Sequence, residues 1–427
     1  MNSSYSKLIE GLNNNDLEVR LDSLRKLMNM VNTGEIDRPV NGGHVNNHIH
    51  TDYSFSPYSP TKALWMAYNA GLTTAGIIDH DSLSGAEEFI QAGRIIGMAT
   101  TIGAECRVDF SNTLLKGKKI NNPDQNSVAY VTLHGIPHSQ IGMVKKFFQP
   151  YLVERNKRNK AMVARINNIV SASGIVIDFN KDVLPLSRYN EGGSVTERHI
   201  LYSLALKLVE MFSKGAGLVD FLKNSLHLNV GTKIESFLLD MNNPYYEYDL
   251  LGLLKGELVE AFYIDATAEC PDVKDFIALS ESIGSISAYA YLGDIGDSVT
   301  GDKKSRKFED DYIYELFEII KALGFNGVTY MPSRNTMEQV KRVKALCDRH
   351  GFFQISGEDI NSPRQSFICK AMENREFDNL IDSTWALIGH EKAASEDITN
   401  GMFAAGMVAK YPELQDRIRV FKEIGLS

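Results

Sequence analysis

The sequence predicts an α/β fold, a barrel of alternating strands and helices that carries a helical N-terminal extension, a helical insertion and a helical C-terminal segment. Three observations predict it. From residue 45 onward, short apolar runs alternate with longer amphipathic stretches. Strands separated by helices pair in parallel, because each parallel crossover needs a long return, and the units suffice for a barrel. Ahead of them, Leu8, Leu12, Leu17, Leu21, Leu24 and Leu27 recur at helical spacing. Within them, residues 201–263 are rich in Leu, Met and Phe with few strand signals.

Residues 1–42 are the helical extension, with Asn15 or Asp16 placed to cap its second helix, and DRPVNGG (37–43) is turn-rich. The barrel is expected over 43–370. Residues 61–70 read as helix, 74–78 as strand, 84–96 as helix, 100–108 and 128–133 as strands, and 141–173 as one or two long helices. After the insertion, 285–289, 327–330 and 353–355 read as strands and 337–350 as helix, while 371–427 reads as a helical segment on the barrel's outside. The loop DIGDSVTGDKKSRKFEDD (294–311) lacks the spacing of an EF-hand and reads as a mixed-charge surface loop.

Among the 427 residues, 43% are hydrophobic and 23% charged, ordinary for a soluble globular protein, and the net charge is −9. That balance argues against a nucleic-acid duplex as partner, since duplex binders present a basic face. A small phosphorylated ligand needs only a few local cations. The N-terminus shows no signal-peptide pattern, and no apolar run approaches the ~18 residues of a membrane span. The four cysteines form no CxxC pair, so neither a zinc ribbon nor a disulfide framework is expected. A reduced, cytoplasmic protein is the default expectation.

Five clusters carry chemistry. In NHIHT, His48 and His50 lie two apart, so on a strand both imidazoles point to one side and form a ready metal grip. In GIIDHDSLSG, an apolar strand runs into Asp79, His80 and Asp81. Active-site residues of barrel enzymes sit at that end of a strand. Asp81 or Ser82 as a helix cap explains only one of the three. In TIGAECRV, Glu105 lies inside an apolar strand and needs a partner, either a metal or Arg107. In ERHI, His199 opens a helix, and in FQISGEDINSPRQSF a strand releases Glu358, Asp359 and Asn361, with Arg364 nearby.

In order and context these clusters resemble the PHP (polymerase and histidinol phosphatase) family. The stretch 47–81 looks like that family's opening strand–loop–helix–strand, 196–200 resembles its "RPHIA" segment, and 324–357 its last helix and strand. The resemblance implies a distorted (β/α)7 barrel with up to three divalent metals at the strands' C-terminal end. His48, His50, Glu105 and Asp359 resemble the first metal's ligands. Glu105 would bridge to a second metal helped by His199, and His80 resembles a ligand of the third. Three departures stand out: Phe55 and Asn361 occupy third-site ligand positions, and Tyr291 replaces a histidine of an "AHPG" segment. His134, in LHGIPHS, is a candidate to restore a second-metal ligand, with His138 behind it.

The implied function is a divalent-metal-dependent phosphoesterase. It would hydrolyse a small phosphorylated metabolite or nucleotide through a metal-activated water, with two manganese, iron or zinc ions. His80 and Asp79 are its catalytic candidates, and Arg198, Arg334 and Arg364 its phosphate-binding candidates. Arg155, Lys157 and Arg158, in ERNKRNK, read as a solvated helix face. The three departures favour an alternative, a degenerate barrel that binds a metal or ligand without catalysis. A binuclear amide hydrolase is a third reading, against which the arginines argue.

Overall fold

A computed structural model describes residues 3–295 and 307–427. Most of the acidic loop 294–311 thus lies outside the described residues. The chain opens with α1 (Ser3–Gly11) and α2 (Leu17–Thr33). Asp16 caps α2 by accepting from Glu18 N at 2.8 Å, and Gly34 ends it at φ 77°. Leu21, Leu24, Leu27 and Val31 bury one face of α2. Buried Arg20 forks onto Glu88 at 2.8 and 2.5 Å and so ties the extension to the barrel.

Among the described residues seven strands follow: β1 (His44–Ile49), β2 (Leu72–His80), β3 (Ala99–Asp109), β4 (Val128–His134), β5 (Ile286–Ala290), β6 (Gly327–Tyr330) and β7 (Phe353–Ser356). They make one sheet in sequential order. The sheet curls until β1 meets the segment beyond β7 at a single bridge, where His50 N donates to Ile360 O (2.9 Å) and Ile360 N to His48 O (3.1 Å). The result is an incompletely closed, distorted barrel with helical extensions and a helical insertion, as expected.

One expectation is corrected. The sheet is mixed, because β4 runs antiparallel to both β3 and β5. The β3–β4 connection contains no helix, so the chain turns back beside β3 instead of crossing over.

Helices α3 (Pro60–Asn69), α4 (Ala86–Ile96) and α5 (Ile141–Ile169) pack around the first strands. The insertion is α6 (Glu197–Phe212), α7 (Ala216–Asn224), α8 (Thr232–Leu239) and α9 (Tyr246–Phe262), followed by α10 (Val273–Ile283), α11 (Ile313–Leu323) and α12 (Met337–His350). Phe89, Phe148, Phe276, Phe317 and Phe352 are buried in the barrel core, each contributing about 1.5–3 kcal/mol. The insertion has its own core, in which Leu201, Leu204, Leu250, Leu254 and Phe262 meet Met162 and Ile166 of α5.

The chain closes with α13 (Asp378–Glu396), α14 (Ala405–Lys410) and α15 (Leu414–Leu426). Unlike the outer-wall packing expected, α13 crosses the end of the barrel where β3, β5 and β7 begin. Its Glu391 Oε2 accepts from Thr101 Oγ1 (2.7 Å) and Ile102 N (2.8 Å), and Ala386 and Leu387 pack with Ile286 and Phe353. The opposite end of the barrel stays available for chemistry.

Candidate metal centre

Five predicted ligands converge at the C-terminal end of the parallel strands. His48 lies in β1 and His50 directly follows it, and their rings lie 5.1 Å apart. Parallel register sets His80, the last residue of β2, beside Glu105 of β3. Asp359 follows β7, on the segment bridged to β1. Glu105 Oε2 is 3.2 Å from His80 Nδ1 and 3.6 Å from the Nε2 atoms of both His48 and His50. His50 Nε2 is also 3.3 Å from Asp359 Oδ1.

Among the described residues two groups able to hold a divalent metal result, His48–His50–Asp359 and His50–His80–Glu105, with the donor atoms of each inside 4.8 Å of one another. His50 belongs to both. Its Nε2 is buried and makes no aligned hydrogen bond among the described residues, an orphan that a cation would satisfy. Imidazole nitrogens mixed with carboxylate oxygens suit zinc, manganese or iron. These donors fit a metal.

The electrostatics agree. Burial raises the pKa of Glu105, but His80, His48 and His50 outweigh it and hold the carboxyl at about 2. Burial alone would lower His48, yet the Glu105 carboxylate beside it raises it. Burial pushes His80 down to about 3. Glu105 is therefore a carboxylate and His80 a neutral imidazole, the forms in which each binds metal. The alternative partner for Glu105 is excluded, because Arg107 pairs with Glu269 and donates to Tyr263 Oη at 3.1 Å.

Asp79 is not a cavity residue. Its carboxylate accepts from Thr51 N (2.7 Å), Thr51 Oγ1 (2.6 Å) and Ser54 Oγ (2.6 Å). Ser54 Oγ in turn lies 3.4 Å from His50 Nδ1. Asp79 thus pins the loop after β1 and, through Ser54, steadies His50. Predicted as catalytic, this carboxylate is occupied by three hydrogen bonds from the loop.

His199 and His134 fall outside both ligand groups. His199 Nδ1 accepts from Thr196 N at 3.0 Å and caps α6. Phe55 packs edge-on to its ring at 4.9 Å and belongs to the insertion's core. His134 lies opposite Gly103, on the face that Glu105 shares, and its buried Nε2 has no hydrogen-bond partner among the described residues. His138 pairs with Glu391 at 2.9 Å, and Tyr291 Oη donates to Asp310 at 2.6 Å.

A narrow cavity adjoins the cluster, lined by Phe55, His80, Arg107, Tyr130, Arg155, Thr196, Glu197, Arg198 and Asn361. Arg198 donates to Asn361 Oδ1, and Asn361 Nδ2 donates to Asp359 Oδ1 at 2.5 Å. Asn361 therefore joins the predicted cation to the cluster. The other two predicted arginines lie elsewhere. Arg364 pairs with Asp249 at 2.6 Å and stacks on Phe237, and Arg334 Nε donates to Leu292 O at 3.3 Å.

Sequence reasoning missed Arg155. It is buried with Arg158 rather than solvated, bound to Asp81, while Arg158 reaches Glu269 at 2.6 Å. A signal existed: Phe148, Leu152, Arg155, Asn159, Met162 and Ile166 share one helical face, and all are buried. Arg107 and Tyr130 gave no comparable sign.

No family model and no curated protein matches the chain. Among solved structures it is similar to a protein from Bifidobacterium adolescentis named as a metal-dependent phosphoesterase, with 19% identity over 80% of this chain and 96% of that one and a TM-score of 0.48. It is also similar to an amidohydrolase from Chromobacterium violaceum with bound sulfate and no metal, with 16% identity over 76% and 89% of the two chains and a TM-score of 0.48. At 16–19% identity the likeness speaks to neither ligand nor substrate.

Proposed function

We propose that this chain is a PHP-type hydrolase that cleaves a small phosphate ester with two divalent cations. His48, His50 and Asp359 would hold one and His80 the other, with Glu105, whose carboxylate has two oxygens, serving both. The carrying observation is the pair of ligand groups sharing His50 beside a cavity walled by Arg107, Arg155 and Arg198. When bound, such cations acidify water and neutralise charge on phosphoryl oxygens. The chain's own residues supply the rest. Arg198 and Arg155 offer planar donors that suit phosphate oxygens. Asn361 orients both Arg198 and Asp359, and Phe55 and Tyr130 narrow the space beside His80. His80 serves here as a ligand rather than as an acid or base.

The test is a panel of phosphate monoesters and diesters assayed with manganese, zinc or iron, alongside His50→Ala. Turnover in the wild type that vanishes in folded His50→Ala supports the reading. Metal binding without turnover of any ester would instead support a binding scaffold, which Phe55 and Asn361 favour because both are already engaged, with His199 and with Asp359.

A further inference from the structure

We propose that Arg188 is a positioning residue whose ion pair with Asp52 sets where Arg198 stands against the ligand cluster, and so sets the cavity's affinity for a phosphate-type anion. This rests on the function proposed above. Arg188 does not line the cavity. It is buried, and its Nε and Nη2 both lie 2.9 Å from Asp52 Oδ2, while Nη1 holds Glu191 at 3.2 and 3.3 Å.

Asp52 belongs to the loop that leaves His50 and that Asp79 pins at Thr51 and Ser54. The segment from Arg188 to Arg198 is laid along this loop. Ser194 N donates to Tyr53 O at 2.7 Å, and Ser82 Oγ to Gly192 O at 2.8 Å. A Cβ on Gly193 would sit 2.7 Å from Tyr53 O and 3.0 Å from Arg188 O, so backbone meets backbone there. The segment ends in the α6 cap, with Phe55 of the same loop against His199, and delivers Arg198 to Asn361 and through it to Asp359. One loop therefore fixes both the imidazole pair and the cation beside it. Arg188 is its one charged clasp among the described residues. A buried fork of this kind depends on guanidinium geometry as well as charge.

The experiment measures inorganic phosphate binding by calorimetry on metal-loaded, full-length protein. It compares wild type, Arg188→Ala, Arg188→Lys, Arg198→Ala and the two double variants, with metal content and melting temperature recorded for each. Arg198→Ala and Arg188→Ala are each expected to weaken phosphate binding about tenfold, a coupling of ordinary size. Arg188→Lys should fall between Ala and wild type. In the Arg198→Ala background, both Arg188 substitutions should lose their effect.

Wild-type affinity in Arg188→Ala overturns the proposal, and so does an effect that persists undiminished once Arg198 is gone. Where Arg188→Ala folds poorly or loses metal, Arg188→Lys decides by the same rule. A wild type that binds metal but no phosphate overturns the functional reading and this inference together. Phosphate binding that is indifferent to Arg188 overturns this inference alone.

Discussion

Replacing Asp79 by alanine tests whether the centre is held from outside its ligand set. The carboxylate accepts three buried hydrogen bonds, at 2.7 Å from Thr51 N, 2.6 Å from Thr51 Oγ1 and 2.6 Å from Ser54 Oγ. Each donor stranded in the interior costs about 1–3 kcal/mol, and neighbours sharing one loop do not add fully. A loss of about 3–5 kcal/mol is expected by urea unfolding of the metal-free protein. Asp79→Asn keeps an acceptor oxygen and should lose about half as much.

Since Ser54 Oγ lies 3.4 Å from His50 Nδ1, freeing Ser54 also loosens the imidazole common to both ligand groups. Metal affinity should fall about 10–100-fold, the usual effect of removing an outer partner of a ligand. Competition against a chromogenic chelator reads this directly. Stability within 0.5 kcal/mol of wild type (roughly the spread of neutral surface changes), or an unchanged metal affinity, would refute the reasoning.

Other consequences can be measured on the same protein. Gly357→Ala places a Cβ 2.6 Å from His48 Cβ and 2.7 Å from His48 N, so it should weaken metal binding by pushing β1 aside, read by the same chelator competition. Gly389→Ala would set a Cβ 1.8 Å from Phe421 O. It should unseat α15 from α13 and lower the melting temperature without changing metal affinity. Saturating metal at a hundred times its dissociation constant should add about 2.7 kcal/mol of stability, and EDTA should lower stability more in wild type than in His50→Ala.

Buried Glu309 has its carboxyl pushed up by burial to about 7. The native state therefore keeps a proton that the unfolded chain releases, and stability falls as pH rises from about 4.5 towards 7. Glu309→Gln should remove that slope and stabilise the protein at pH 8 by about 3 kcal/mol. Denaturant titrations at pH 5 and pH 8 check the sign.

Much of this was legible in the sequence where one local rule acts alone. Asp16 at the head of an amphipathic run predicts a cap, and it caps α2. His48 and His50, two apart on a strand, both come within 3.6 Å of Glu105. The direction of β4 was less legible, because it depends on what the chain does between strands. The clue was a turn-rich, helix-free connection after β3. The cavity's arginines were hidden for another reason. Arg155 and Arg158 look solvated by charge, yet their helix face is buried, and Asp81 and Glu269 arrive from distant parts of the chain to neutralise them. Arg364 shows the reverse error, since closeness to Asp359 in sequence did not bring it to the cavity. Asp249 and Phe237 of the insertion draw it away.

The central claim is that two metal positions lie side by side, one at His48, His50 and Asp359 and one at His80, with Glu105 between them. The direct measurement is metal content per chain after reconstitution with manganese, zinc or iron and desalting, for wild type, His80→Ala and His50→Ala. The account predicts two metals in wild type and fewer in each variant. A wild type that carries no metal, or a His50→Ala variant that carries as much as wild type, contradicts it.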